Sequence, residues 1–146
     1  MWGPVLGLDF GARRIGIAVS NPEATLAFPA GTLERAGLDR DLAALRALAE
    51  ERGVARIVVG LPLHMDGRSG AGADAARAFA AALAGATALP VELLDERWTT
   101  TQAERDLRGA PRARRRRRKD IVDSMAATIL LRTYLEVGRS QGESPP

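Results

Sequence analysis

The stretch Val5-Leu6-Gly7-Leu8-Asp9-Phe10-Gly11 is an apolar run with a single carboxylate near its end. A second apolar run, Ile15-Gly16-Ile17-Ala18-Val19-Ser20, follows the short connector Gly11-Ala12-Arg13-Arg14. Two short β-rich runs around a glycine-containing connector predict a β-hairpin. Runs this apolar suit strands covered on both faces, so the hairpin belongs near the centre of a sheet. Asp9 is then close to the middle of that sheet. Burying a carboxylate is costly unless an arginine, backbone donors or a metal ion pairs it. We read Asp9 as a metal ligand, one of three carboxylates that share the site.

Composition narrows the metal. The chain has no cysteine and one histidine, His64, which excludes thiolate sites, disulfides and His-rich zinc sites. Oxygen ligands remain, and these favour Mg²⁺ or Mn²⁺. With 146 residues, 46% of them hydrophobic, the chain has the length and apolar content for one globular domain. That domain is expected over residues 1–137. The polar, proline-ended tail, residues 138–146, is expected to be disordered. No apolar stretch is long enough to span a membrane. Nor does the N-terminus have the basic region of a signal peptide, so a cytoplasmic protein is the simplest expectation.

The remaining pattern alternates strands and helices. Residues 26–33 predict a third strand, which Pro29 confines to an edge or a bulge. Leu38, Leu42, Leu45 and Ala49 repeat at helical spacing, predicting a helix over 38–52 with Asp39 or Asp41 at its start and Gly53 after its end. Residues 56–61 predict a buried strand parallel to the first. A Pro/Gly-rich loop follows. Next comes a helix over 73–83 with Gly85 as its stop, and then a strand over 91–94. Capping-box patterns at Thr99 and Thr101 open a helix to about residue 107. A basic run and a last helix over 120–137 complete the chain. The expected class is α/β: an antiparallel meander, then parallel strands, in a mixed five-stranded sheet flanked by helices.

Three carboxylates stand where such a sheet gathers ligands, at strand ends or on an apolar helix face. Asp9 ends the first strand, and Glu96 lies just past the fifth. Asp123 shares a helix face with Ala126, Ala127 and Leu130. Singly, each has an ordinary explanation: a turn cap, a pair with Arg97, a carboxylate favoured by the helix dipole. Together they would repel one another unless cations intervene. One or two divalent ions, about 4 Å apart when paired, suit phosphodiester cleavage.

At these residues the chain resembles the YqgF/RuvX family of pre-16S rRNA nucleases, within the RNase H-like superfamily. The matching stretches are Leu6 to Gly11 with Ile15 to Ser20, Gly60-Leu61-Pro62 with Met65-Asp66-Gly67, Asp95-Glu96-Arg97 with Thr99-Thr100, and Asp123 to Ala127 with Ile129-Leu130. They run in family order over nearly the whole chain. The resemblance implies an RNase H-like fold and an acidic metal site at Asp9, Glu96 and Asp123. It also implies a nuclease acting on the 5′ end of pre-16S rRNA or on four-way DNA junctions. The arginine run is denser than the family pattern.

Nucleic acid is the expected partner. Net charge is only +3, but Arg112, Arg114, Arg115, Arg116, Arg117, Arg118 and Lys119 are clustered. They lead into the helix bearing Asp123 and are read as phosphate contacts rather than as a solvated loop. Arg13 and Arg14, beside Asp9, are candidates for the same role. Asp120 is read as a helix cap rather than a fourth ligand. Trp98 as a base-stacking residue and His64 as a general base each rank below an ordinary core or surface role. Asp95 should face away from Glu96. Two further functions are weighed. An actin-like ATP-binding unit normally needs two such domains. A non-catalytic RNA-binding factor leaves the carboxylates unexplained. Junction cleavage would call for a homodimer, whereas trimming one RNA end needs only a monomer.

Overall fold

β1 (Val5–Phe10) and β2 (Arg14–Ser20) form the expected hairpin, with Asp9 opposite Gly16. The structure is a computed structural model that describes residues 3–62, 70–96 and 119–140, with the side chains of 124–137 in the last stretch. The hairpin closes tightly. The Gly11 amide donates to the Arg14 carbonyl at 2.9 Å, and a Cβ on Gly11 would fall 2.7 Å from that same oxygen. Only glycine fits there.

β3 (Ala27–Glu34) pairs antiparallel with β2 and carries Pro29 on the sheet edge. It also bulges. Gly16 lies opposite Thr32 and Ala18 opposite Pro29, so Ala30 and Gly31 together face Ile17. α1 (Leu38–Glu51) begins around a buried Asp41, which accepts from the Ala36 amide at 2.9 Å and from Arg35 Nε at 3.2 Å. The helix ends before Gly53, whose φ of 63° lets the Val54 amide turn back to the Ala49 carbonyl.

β4 (Arg56–Leu61) lies parallel to β1, and β5 (Val91–Asp95) lies parallel to β4. Between them, α2 (Ala71–Thr87) runs straight through Gly85, the expected stop. Gly85 sits in open space, and an isolated helical glycine costs only about 1 kcal/mol relative to alanine. The helix ends instead at Ala88, which adopts the left-handed conformation ahead of Pro90. α3 (Lys119–Ser140) runs three residues past its expected end at Val137, through Gly138. The helix expected near residues 99–107, the arginine run at 112–118 and the tail at 141–146 lie outside the described residues. No described helix is long and apolar enough to cross a membrane.

The sheet order is β3-β2-β1-β4-β5, so β1 is central. Its side chains alternate between two cores. Leu6 and Leu8 pack with Ile57, Val59, Leu45 and Leu83 on the α1 and α2 side. Val5 packs with Ala18, Val58, Ala127 and Leu131 on the α3 side. Gly7 shares that second face. A Cβ there would come within 2.9 Å of Leu131 Cβ and 3.3 Å of the Ala127 carbonyl oxygen, so the missing side chain lets α3 lie directly on β1. Farther along α3, the Tyr134 hydroxyl accepts from Arg56 Nη1 at 3.1 Å and donates to Glu92 Oε2 at 2.9 Å. That pair of bonds ties the helix to the starts of β4 and β5. α3 therefore runs antiparallel to β1, with its earlier turns toward the Asp9 end.

Candidate active site

Asp9 lies two residues beyond Gly7, on the face of β1 that α3 covers. The β1–β4 register pairs Leu8 with Val59, so one step further sets Gly60 beside Asp9. β5 pairs Leu94 with Gly60 and Asp95 with Leu61, and Glu96 follows directly. Asp9, Gly60 and Glu96 thus stand at the carboxyl ends of three adjacent parallel strands, where α/β sheets bind ligands.

Gly60 makes the meeting possible. A Cβ on it would collide with Glu96 Oε1 and lie 2.7 Å from Cδ and 2.8 Å from Cγ. Glu96 therefore crosses the bare backbone of β4 and hydrogen-bonds to Asp9. The Glu96 carboxyl is pushed from 4.5 up to about 9, with burial the largest of four causes. The hydrogen bond to Asp9, the Asp9 charge and then the Asp95 charge add to the shift. At neutral pH Glu96 holds a proton and donates it to Asp9. A cation bound between the two carboxylates would displace that proton.

Asp123 reaches the same level through the backbone of α3. It precedes Ala127, which sits against Gly7, by four residues, or about 6 Å along a helix. Asp9 lies two residues beyond Gly7, about 6.6 Å along a strand. The Asp123 side chain lies outside the described residues. Among the described residues, no three acidic or histidine side chains are grouped to hold a metal ion, so the described site is the Asp9–Glu96 pair. Its donors fit a hard divalent cation: two carboxylates, all oxygen, one of them desolvated, in a cradle that a single Cβ would fill.

The other candidates fare unevenly. Arg13 is exposed in the hairpin turn, and its carbonyl accepts from the Arg35 amide at 2.9 Å. Arg14 opens β2 half-buried, opposite Glu34. Lys119 and Asp120 open α3, but their side chains, together with His64, Trp98 and Arg114 to Arg118, lie outside the described residues. Two contributors escaped the sequence reading. Gly60 is one, although an isolated glycine closing an apolar strand signals close approach by another group. Arg35 is the other. Its guanidinium stacks 4.5 Å over the Phe10 ring while Nε donates to Asp41. Phe10 in turn stacks on Phe79, with ring centroids 4.5 Å apart. The residue after Asp9 is thereby held between Arg35, just past β3, and Phe79 of α2.

A family model described as "RuvX: Holliday junction resolvase" matches residues 3–137. The chain belongs to the RuvX family. Relatives agree. A protein of Moorella thermoacetica named "Putative pre-16S rRNA nuclease" is 46% identical over 132 residues, covering 90% of this chain and 94% of its own. One of Bradyrhizobium diazoefficiens with the same name is 43% identical over 134 residues, covering 92% and 83%. Among solved structures, Thermus thermophilus RuvC in complex with Holliday junction substrate aligns with a TM-score of 0.59 at 15% identity, over 99% of both chains. That likeness is one of fold. Together with the strand order, it establishes the RNase H-like architecture of this RuvX-family chain.

Proposed function

We propose that this RuvX-family chain is a metal-dependent endonuclease that hydrolyses phosphodiester bonds in the 5′-end processing of pre-16S rRNA, in the cytoplasm. The observation that carries the reading is the Asp9–Glu96 pair across Gly60: two carboxylates forced together and partly stripped of water at the ligand-binding edge of the sheet. The relatives' printed names supply the substrate. Asp9 and Glu96 hold the cation, Mg²⁺ or Mn²⁺, and Asp123 is the third ligand. Once held by these carboxylates, one or two such ions would supply Lewis acidity toward a phosphodiester and an activated water. Glu96 gives up its proton as the site loads. Arg13, Arg14 and the run from Arg114 to Lys119 neutralise backbone phosphates and keep the strand in register without reading its sequence.

The family model's own description favours a second reading, cleavage of four-way DNA junctions. One assay separates the two. A 5′-extended 16S precursor fragment and a synthetic four-way junction are incubated side by side with Mn²⁺ and then Mg²⁺, with Asp9→Asn as control. Metal-dependent cutting of the RNA alone, lost in Asp9→Asn, is the expected result. Paired symmetric nicks in the junction alone would make the protein a resolvase. Undiminished cutting by Asp9→Asn would overturn the assignment of the site.

A further inference from the structure

Ser124 follows Asp123 directly, and its side chain is buried against the sheet. Its hydroxyl donates to the Ile17 carbonyl of β2 at 3.2 Å and accepts from the Gly31 amide of β3 at 3.3 Å. These two groups face each other across the β-bulge, where Ala30 and Gly31 together oppose Ile17. One side chain from the overlying helix bonds to both groups. Gly31 adopts a φ of 88°, a conformation that L side chains rarely take, so the bulge is built around that glycine. The bulged strand and the helix therefore share one three-part contact, one residue from Asp123.

We propose that Ser124 is the positioning residue for the third carboxylate: by bridging Ile17 and Gly31 it fixes the height and rotation of α3 at Asp123. The inference rests on the reading above, in which Asp123 is a metal ligand. Among the described residues, other contacts hold α3 further along. Ala127 and Leu131 seat on Gly7, and Tyr134 ties down the far end. They hold the later turns of the helix, so a small rotation of the turn that bears Asp123 is opposed most locally by Ser124. Such a rotation moves a side chain at Asp123 around the helix. The Ser124 bridge is polar and directional, so it resists that movement. Thr128, also buried, donates to the Ser124 carbonyl, a bond within the helix rather than to either strand.

The test is direct Mn²⁺ titration by calorimetry of wild type, Ser124→Ala, Gly31→Ala, Thr128→Val and Asp123→Asn, with a melting curve for each. Ser124→Ala is expected to weaken Mn²⁺ binding about tenfold, the scale seen when a residue that orients a metal ligand is removed. Gly31→Ala has open space for its Cβ but a strained backbone, and should weaken binding in the same direction from the other end of the bridge. It keeps the test decisive should Ser124→Ala fail to fold. Thr128→Val, which removes only a bond within the helix, should bind Mn²⁺ within twofold of wild type. If Ser124→Ala and Gly31→Ala bind as wild type while Asp123→Asn does not, the positioning inference falls and the site reading stands. The same follows if Thr128→Val loses as much affinity as Ser124→Ala. If Asp123→Asn itself binds Mn²⁺ as wild type, the site reading falls and takes the inference with it.

Discussion

Glu96 is the residue on which the proposed chemistry turns, because its carboxyl is ionised only at a cost. In the metal-free protein its pKa of about 9 lies above the ordinary 4.5, so folding favours the protonated form. Its contribution to stability is complete below pH 4.5, declines as pH rises and is gone above about 9. Thermal melts in chelator should show that decline between neutral pH and pH 9, and Glu96→Gln should flatten it. Cation binding has the opposite slope. Loading the proposed metal site would release a proton, so Mn²⁺ affinity should rise with pH up to about 9. Calorimetry in buffers of differing ionisation enthalpy would count that proton; no release at pH 7 would show that Glu96 enters the site already charged. Gly60→Ala probes the same group from beneath. The colliding atoms belong to the end of a flexible side chain, so the new methyl should displace Glu96 rather than unfold the protein. A melting temperature near wild type, with cleavage and Mn²⁺ binding both lost, is the expected outcome.

At the scale of elements, α2 shows where local signals mislead. Gly85 looks like a stop because glycine is the usual residue just past a helix end. Yet the helix is anchored by Phe79 and Leu83 in the core, and tertiary packing carries it one further half-turn. The glycine pays the entropy of helix formation and packs against nothing. Gly85→Ala should therefore raise stability by about 0.5–1 kcal/mol without touching activity, read as an upward shift in melting temperature. Other elements were legible because their signals are strong and mutually consistent. The five strands carry apolar runs bounded by turn residues, and the helix between the third and fourth strands forces the parallel pairing of β1 with β4. Asp9 and Glu96 were legible as a pair because both end strands, and strand ends gather in space whatever their separation in sequence. Gly60 was not, because a glycine closing an apolar strand signals that some group comes close but not which one, and Glu96 belongs to a different strand. Arg35 was hidden for a related reason. Its partners, Phe10 and Asp41, come from two different elements, and no spacing in the chain links them.

The whole molecule divides into a structural end and a chemical end, joined by α3. At one end Tyr134, Arg56 and Glu92 bind the helix to β4 and β5. At the other, the Asp123 turn arrives at the level of Asp9. Gly7 lies between them and sets how close the two layers come. Tyr134→Phe removes the hydroxyl from the structural end. It should lower stability by about 1 kcal/mol and leave metal affinity unchanged. Gly7→Ala acts on the spacing itself. Its Cβ would meet Leu131 Cβ at 2.9 Å and the Ala127 backbone at 3.3 Å, and neither is the free end of a flexible chain. The helix has to lift or tilt, at an overpacking cost of about 1–3 kcal/mol. The helix is tied down by Tyr134 on one side of Gly7 and by the Ser124 bridge on the other, so the displacement should strain that bridge beside Asp123. Gly7→Ala should therefore lose Mn²⁺ affinity and cleavage well beyond what its lowered melting temperature explains, even at temperatures where it is fully folded. Equal metal affinity in folded Gly7→Ala and wild type would mean that the layer spacing does not govern the site. The third carboxylate would then owe its place to contacts at its own end of α3.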